Sequence, residues 1–193
     1  MEYITIEQDG YSIKEDVNNQ YIIHFLTSQL IDVYKNDKKI LFDGDNVKKL
    51  DNNLSDMHIN KFIYDVGMQI FILKNLNLGI KYFDIKDFVF INNNIYLFNN
   101  INNIFELSNK LDSKESGNYG IIDFIDKDNQ FLPPELENPT KNYFYFTTSY
   151  YSFGKLFLHL FNIELKNIYS TSLYYFLERC LVKNPLDRNF QYM

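Results

Sequence analysis

Two side chains with chemical potential lie two residues apart in the stretch YFDIKDF, residues 82–88. The carboxylate of Asp84 can accept a proton, and the ammonium group of Lys86 can neutralise a phosphate. Two asparagines, Asn99 and Asn100, follow the next apolar run and offer neutral amide oxygens. The acid–lysine pair is equally compatible with an exposed loop whose turn requires an aspartate. The predicted elements on either side of the stretch help to distinguish a reactive pair from a structural turn.

The residues before this stretch predict a short β-rich segment and then one long helix. The runs YITI and QYIIHFL are β-rich, and DVNNQ between them is a plausible hairpin turn. From residue 55 onward the apolar residues recur at three-to-four spacing, which predicts a helix. Ser55 or Asp56 can cap its start, and Gly79 can end it.

The residues after the stretch predict a hairpin, a long loop and two helices. The runs FVFI and IYLF are separated by three asparagines, which tolerate a positive φ in a tight turn. Residues 102–130 read as a polar loop with one helical turn, and FLPPELENP as a rigid connector. SYYSFGKLFLHLFNI predicts a buried helix, and TSLYYFLERCLVKNP a second one that Thr171 or Ser172 opens. The expected fold class is therefore α+β.

This order of parts resembles the C-terminal lobe of the eukaryotic protein kinase superfamily over about residues 56–190. The motifs that carry the resemblance are YFDIKDFV against H-R-D-L-K-P-x-N, FNNI against D-F-G, PPE against A-P-E, YSFG against W-S-L-G, and the final CLVKNPLDR. The resemblance implies a reduced, β-rich N-terminal lobe at residues 1–55 and a helical kinase-like lobe at 56–193.

The resemblance also implies a role for each position of the catalytic stretch. Asp84 matches the catalytic base, and Lys86 matches the lysine two residues later. Tyr82 and Phe83 replace the histidine and the arginine, and Val89 stands where the metal-binding asparagine belongs. The expected catalytic residues, Asp84 and Lys86, are thus vestigial.

The groups that would hold a nucleotide and its metal are degenerate. Asn99 takes the place of the D-F-G aspartate, so a neutral carbonyl replaces the carboxylate that Mg²⁺ prefers. No glycine-rich phosphate loop is present, and Lys14 and Lys39 are poor candidates for the strand lysine. We therefore expect no cofactor and no metal, and nucleotide binding that is weak or absent.

Three further positions resemble the structural residues of such a lobe. Glu135 of the PPE motif and Arg188 correspond to a buried ion pair that holds a loop against the last helix. Gly154 corresponds to the glycine of the buried helix. The aspartate that normally precedes it and holds the catalytic loop is displaced by Ser149 or Tyr150.

Composition excludes several classes of function. The net charge is −6 without a basic stripe, so no nucleic-acid partner is expected. The N-terminal residues are polar and acidic, and the longest apolar run is too short for a membrane span. One cysteine, Cys180, excludes an intrachain disulfide and fits a reducing, intracellular compartment. The absence of Ala and the abundance of Asn, Ile, Tyr and Phe indicate an AT-rich genome, such as that of a large DNA virus or a protist.

The resemblance and its substitutions lead to one expectation and two alternatives. The expectation is a truncated pseudokinase that acts as a protein-binding or scaffold module, with a protein partner and an oligomeric state that the sequence leaves open. The first alternative is a divergent minimal Ser/Thr protein kinase that uses ATP and Mg²⁺, with Asp84 as its base. The second is a structural component of a virion.

Overall fold

The computed structural model describes residues 4–7, 10–13, 20–36, 39–44, 46–50, 54–108, 119–121, 125–139 and 143–191. Within these ranges the chain is α+β, as the mixed sequence pattern predicts. Five α-helices accompany four small antiparallel sheets. Residues 16–19 of the predicted DVNNQ turn, residues 109–118 and 122–124 of the predicted 102–130 loop, and Lys14 lie outside the described residues.

The N-terminal sheet contains four antiparallel strands in the order β1-β2-β4-β3. The strands are β1 (Ile4–Glu7), β2 (Gly10–Ile13), β3 (Val33–Asn36) and β4 (Lys39–Phe42). One helix, α1 (Gln20–Ser28), is inserted between the second and the third strand of the chain order.

The strand that we predicted over QYIIHFL is wrong, because these residues form α1. Tyr21, Ile22, Phe25 and Leu26 are completely buried, and their spacing is that of one helical face. A short continuous apolar run does not distinguish a strand from a buried helix by its periodicity. Packing of α1 against the long helix that follows it, α2 (Ile59–Asn75), therefore decides the structure of this segment.

The long helix is present, but its ends differ from the prediction. A 3₁₀ turn at Asp56–His58 comes first, and α2 covers Ile59–Asn75. Neither Ser55 nor Asp56 caps α2; the residue before it is His58, whose side chain makes no capping hydrogen bond. Gly79 does not end the helix, because it lies within β6 (Leu78–Ile80). Asn77, with φ 57°, supplies the left-handed turn instead.

The hairpin prediction is confirmed by β7 (Phe88–Ile91) and β8 (Ile95–Phe98). Asn92 and Asn93, in the three-residue connection between Ile91 and Ile95, have φ values of 52° and 54°, which asparagine tolerates. Two more strands extend this region: β5 (Val47–Lys49) pairs with β7, and β9 (Ile104–Glu106) pairs with β6.

The C-terminal part is mostly helical. The remaining elements are β10 (Tyr119–Ile121), α3 (Pro134–Glu137), β11 (Tyr143–Tyr145), α4 (Thr148–Leu160) and α5 (Ser172–Cys180). The two predicted C-terminal helices are confirmed, and Thr171 caps α5 by accepting a hydrogen bond from the N–H of Tyr174. The range 102–130, which we predicted as a loop with one helical turn, contains the end of a 3₁₀ turn (Ile101–Asn103) and also the strands β9 and β10, so the loop prediction is wrong there.

An aromatic core joins α2, the hairpin and α4. The ring of Phe62 contacts those of Phe88, Tyr96 and Phe153 at centroid distances of 5.1 to 5.8 Å. Such contacts bury large apolar areas and fix the geometry between elements. Among the described residues, none of the helices is both long and apolar enough to cross a membrane.

Candidate functional site

The Asp84–Lys86 stretch forms a tight turn before the hairpin. A 3₁₀ turn at Ile85–Asp87 begins directly after Asp84, whose Oδ1 accepts a hydrogen bond from the N–H of Lys86 at 3.3 Å. Asp84 is thus the cap of this turn, a position that favours short acidic side chains. The local backbone alone gives a structural reason for an aspartate here.

The side chain of Lys86 lies between two carboxylates. Its Nζ is 3.2 Å from Asp84 Oδ2 and 3.2 Å from Asp126 Oδ2; we call these three residues the acid–lysine cluster. Partial burial would lower the pKa of Lys86, but its hydrogen bonds with Asp84 and Asp126 outweigh this effect and raise the pKa. Lys86 is therefore a permanent cation that is already neutralised within the chain.

Asn99, which the resemblance places at the D-F-G position, is hydrogen-bonded to the N-terminal sheet. Asn99 is only 3% exposed, and its Oδ1 accepts a hydrogen bond of 2.7 Å from the N–H of Ile4 in β1. Its own N–H donates to the carbonyl of Asp87 at 2.6 Å. Val89 is buried in β7 and offers no ligand atom. The two expected metal positions thus contain one engaged amide and one alkyl group.

A second polar cluster lies next to these positions. The carboxylate of Asp87 accepts hydrogen bonds from Asn100 Nδ2 at 2.7 Å and from Asn103 Nδ2 at 3.0 Å; we call these residues the aspartate–asparagine cluster. It joins the turn before the hairpin to the 3₁₀ turn after it. The carbonyl of Asn103 also accepts from the N–H of Lys81 at 2.9 Å, which connects the cluster to the end of β6.

The ionisation of Asp87 is perturbed by its surroundings. Burial raises its pKa, the amide of Asn100 opposes this effect, and the charge of Asp84 adds to it, giving a pKa of about 6. Among the described residues, the side chains hydrogen-bonded to this carboxylate are the two amides and not a cation. Asp87 is thus a buried acid that titrates just below neutral pH.

The backbone before Asp84 is held by α4 rather than by an acid. Ser152 Oγ accepts a hydrogen bond from the N–H of Phe83 at 2.8 Å. Asn129 Nδ2 donates to the carbonyl of Phe83 at 3.1 Å. Neither Ser149 nor Tyr150 has this role, since Ser149 donates to Phe146 within the first turn of its own helix.

Helix α1 reaches the same region from the other side. The hydroxyl of Tyr21 donates to the carbonyl of Phe98, the residue before Asn99. The sequence of α1, QYIIHFLTS, contains no acidic residue. The helix therefore contributes a neutral hydrogen bond and buried apolar side chains to this region, and no carboxylate.

The predicted structural pair is formed by two parallel hydrogen bonds. Arg188 Nη1 and Nη2 donate to the two oxygens of Glu135 at 2.5 and 2.8 Å. Arg188 also donates to the carbonyls of Val182 and Lys183, at 2.7 and 2.9 Å, and its guanidinium lies 5.0 Å from the ring centre of Tyr151. This bidentate geometry fixes α3 against the segment after α5.

The third predicted structural residue, Gly154, lies where α4 and the end of α5 approach closely. A Cβ at this position would lie 2.9 Å from the side chain of Leu181 and 3.4 Å from the Cβ of Cys180. Real Cβ atoms do not approach carbon atoms as closely as 2.9 Å. Glycine is thus required for the packing of these two helices.

In the part of the chain that the structure describes, no group of three or more His, Cys, Asp or Glu side chains is placed to hold a metal ion. Of the nearby acids, Asp84 and Asp126 contact Lys86, and Asp87 accepts two amide N–H groups. A nucleotide-bound metal would have to compete with these internal contacts.

Sequence reasoning missed Asp87, Asn103, Asp126, Asn129 and Ser152. Asp87 directly follows Lys86, and an acid beside the predicted catalytic pair was a usable signal. Asn103 lies in an asparagine-rich stretch in which no single asparagine stands out by type or spacing. Asp126 and Ser152 are distant from the loop in sequence, so no local pattern could have identified their contacts.

Compared with known proteins, the chain matches no family model and no curated protein. Its function therefore has to be inferred from its own contacts, burial and charges. The kinase resemblance remains a matter of motifs and element order.

Proposed function

We propose that this chain is a pseudokinase with a reduced N-terminal lobe: a kinase-like lobe that binds a protein partner and does not transfer phosphate efficiently. The observation that carries the proposal is the hydrogen bond from the N–H of Ile4 to Asn99 Oδ1. Phosphoryl transfer by kinases needs the D-F-G side chain as a metal ligand. Here the corresponding oxygen is neutral, buried and used by the N-terminal sheet.

The order of elements supports the kinase-like part of the proposal. A long helix leads into a turn with an acid and a lysine, then a β-hairpin, a double proline followed by a glutamate, a buried helix, and an arginine that returns to that glutamate. Before them, a helix follows the second strand of the N-terminal sheet, as the kinase glutamate-bearing helix follows the strand that carries its lysine. The absence of any acid in α1 fits the proposed loss of that ion pair.

The electrostatics support the loss of phosphotransfer. The reaction depends mainly on cations that neutralise charge on the transferred group. Lys86 already contacts two carboxylates, and Val89 leaves the second metal position without a ligand. Both features reduce the positive charge available to neutralise the transferred phosphate group. Their effects on the rate should therefore combine.

A thermal-shift measurement with ATP and Mg²⁺ or Mn²⁺ tests the proposal. We expect no nucleotide- and metal-dependent rise in melting temperature, because a ligand stabilises only a state that it binds. The matched variant is Asn99→Asp with Val89→Asn, which restores both ligand types at the degenerate positions. A clear rise for the natural chain would overturn the proposal.

One observation favours the alternative of a divergent kinase. Asp84 and Lys86 are in contact and partly exposed, with 18% and 63% of their side chains accessible, so both could reach a substrate. If this alternative holds, Asp84→Asn abolishes phosphotransfer whereas Asp126→Asn, which alters the other carboxylate on Lys86, retains most of it. Phosphotransfer that survives Asp84→Asn would remove the proposed base.

A further inference from the structure

The surface at the start of α5 carries three tyrosine rings that meet at steep angles. Tyr174 lies between the other two: its ring centre is 5.0 Å from that of Tyr169 and 5.3 Å from that of Tyr175, with interplanar angles of 67° and 79°. Tyr169 and Tyr175 are 69% and 48% exposed; we call these three residues the tyrosine cluster. Because neighbouring rings are nearly perpendicular, their faces form a corner that is open to solvent.

The backbone before α5 places Tyr169 in this cluster. Ser170 has a φ of 65°, which is uncommon for a residue other than glycine. This turn brings Tyr169, which follows a 3₁₀ turn at Leu165–Ile168, against the ring of Tyr174 in α5. Backbone conformations of this kind occur preferentially where a side chain has to be held in one place, as at ligand sites.

A carboxylate lies next to these rings. The hydroxyl of Tyr174 donates to Glu178 Oε1 at 3.1 Å. Among the described residues Glu178 forms no ion pair, whereas Lys166, in the preceding 3₁₀ turn, is neutralised by Glu164. A carboxylate beside aromatic faces favours a cation, and a quaternary ammonium group suits rings best because it has no N–H groups that need acceptors.

A positive charge lies on the same surface. A hollow of about 400 Å³ is lined by Ser172, Tyr175, Glu178 and Arg179. Arg179 Nη2 donates to the carbonyl of Gln191 at 2.8 Å, and its Nε is buried without a hydrogen-bond partner among the described residues. A buried polar atom without a partner often marks the place of a bound molecule or ion. Because a guanidinium has five N–H donors, Arg179 retains donors for an anion.

We propose that this hollow binds a phosphocholine group, with its quaternary ammonium against the tyrosine cluster and Glu178 and its phosphate at Arg179. The hydroxyl of Ser172, at the same hollow, can donate to the phosphate. Glu178 and Arg179 are neighbours along α5, so a short zwitterion can span their charged groups. The proposal goes beyond the proposed function and does not rest on it, since it uses no residue of the acid–lysine cluster.

The two charges of the hollow favour a zwitterion over a simple ion. A lone organic cation would lie close to the guanidinium of Arg179, and a lone phosphate close to the carboxylate of Glu178. Like charges at such a distance oppose binding. A phosphocholine group places each of its charges beside the opposite one, and its three methyl groups offer apolar contact to the rings.

Titration with free phosphocholine, followed by ¹⁵N–¹H NMR spectra of the full chain, tests the proposal. We expect shifts at amides around residues 169–179 and a dissociation constant on the order of 1 mM, because cation–π contacts at exposed rings are weak. Glu178→Gln and Tyr174→Leu should each raise this constant at least about threefold. Tyr64→Leu is the matched control, because Tyr64 is 55% exposed on α2 and should leave the constant unchanged. The same spectra verify that each variant folds.

Two analogues test the two charges of the ligand separately. Neohexyl phosphate has the shape of phosphocholine with a carbon atom in place of the charged nitrogen, so it should bind at least about threefold more weakly. Arg179→Gln should weaken the binding of phosphocholine but not that of tetramethylammonium, because only the phosphate contacts the guanidinium.

Sedimentation with lipid vesicles distinguishes the sources of the group. A lipid headgroup as the ligand predicts co-sedimentation with vesicles of phosphatidylcholine, but not of phosphatidylglycerol, and release by free phosphocholine. Binding of free phosphocholine without co-sedimentation assigns the site to a soluble or protein-borne phosphocholine. Equal affinity for phosphocholine and neohexyl phosphate, unchanged affinity in both Glu178→Gln and Tyr174→Leu, or no spectral change on titration would each overturn the proposal.

Discussion

The Glu135–Arg188 pair and the aspartate–asparagine cluster both join distant segments through a carboxylate, but they compensate its charge differently. Glu135 receives two hydrogen bonds from a guanidinium. Asp87 receives two from neutral amides and has Asp84 nearby. A cation offsets the cost of removing a carboxylate from water, whereas amides offset only part of it. Glu135 is therefore held by an opposite charge, whereas Asp87 is held by neutral groups.

Under the pseudokinase proposal, this difference separates the residues that match the resemblance from those that depart from it. The pair at Arg188 contributes to architecture, and its residues match the resemblance in type as well as in place. Around Asp84 and Asn99 the positions match, but their polar atoms contact neighbouring segments of the same chain. The contributions of the Glu135–Arg188 pair and of the aspartate–asparagine cluster to stability can each be tested by removing one of the groups in contact.

The largest expected loss of stability follows from breaking the Glu135–Arg188 pair. Glu135→Ala leaves the completely buried side chain of Arg188 without its carboxylate, and breaking such a pair costs about 3–5 kcal/mol of unfolding free energy. Urea denaturation at neutral pH measures this loss. Glu164→Ala is the control, since Glu164 pairs with Lys166 while both side chains are mostly exposed, and it should cost below about 1 kcal/mol. Similar losses for the two variants would contradict the contrast.

The next largest effect is the pH dependence of stability that the aspartate–asparagine cluster causes. Because the pKa of Asp87 is raised in the folded state to about 6, the folded chain binds more protons than the unfolded one between about pH 4 and 6. Its stabilising contribution is complete below the unfolded pKa and is lost as the pH rises through 6. The full change is about 3 kcal/mol for a shift of this size.

Asp87→Asn isolates this contribution. The pKa of Asp65 is raised as well, mainly by burial, so the natural chain contains more than one such slope. Subtracting the unfolding free energies of Asp87→Asn from those of the natural chain at each pH leaves the contribution of Asp87 alone. We expect this difference to decrease from pH 4 to pH 7. A difference that stays flat would mean that Asp87 titrates normally.

The hydrogen bond from Phe83 to Ser152 joins the same loop to α4 without any charge. Ser152→Ala leaves a buried N–H without its acceptor, which costs about 1–3 kcal/mol. Chemical denaturation compares it with Ser149→Ala, whose hydroxyl contacts only the preceding turn and should matter less. Equal losses of unfolding free energy in the two variants would mean that the hydrogen bond to Ser152 does not hold the loop.

The parts of the fold that the sequence predicts are those with a local cause. The hairpin follows from two apolar runs around asparagines with positive φ, and α4 and α5 follow from their periodicity and the Thr171 cap. Helix α1 could not be predicted in this way. Its apolar run reads as a strand, and only contact with α2 shows why it is helical.

In the candidate site, too, the local contacts could be predicted and the distant ones could not. Asp84 and Lys86 are only two residues apart in one turn, so their side chains lie close together. Asp126 and Ser152 lie 40 and 69 residues from their contacts in the loop, at Lys86 and Phe83. Such contacts are determined by tertiary packing, and a single sequence carries no local record of them.

The smallest expected effect concerns the exposed acid–lysine cluster, the outermost contact of the site. Lys86→Met keeps the aliphatic stem and removes the ammonium group that bridges Asp84 and Asp126. Because 63% of this side chain is exposed, solvent screens the interaction, and the loss should be about 0–1 kcal/mol at low salt and smaller still in 1 M salt. Urea denaturation at both salt concentrations measures it. A salt-independent loss above about 2 kcal/mol would show that Lys86 holds the loop as firmly as Arg188 holds α3. Charge compensation, rather than burial, would then determine the strength of both ionic contacts.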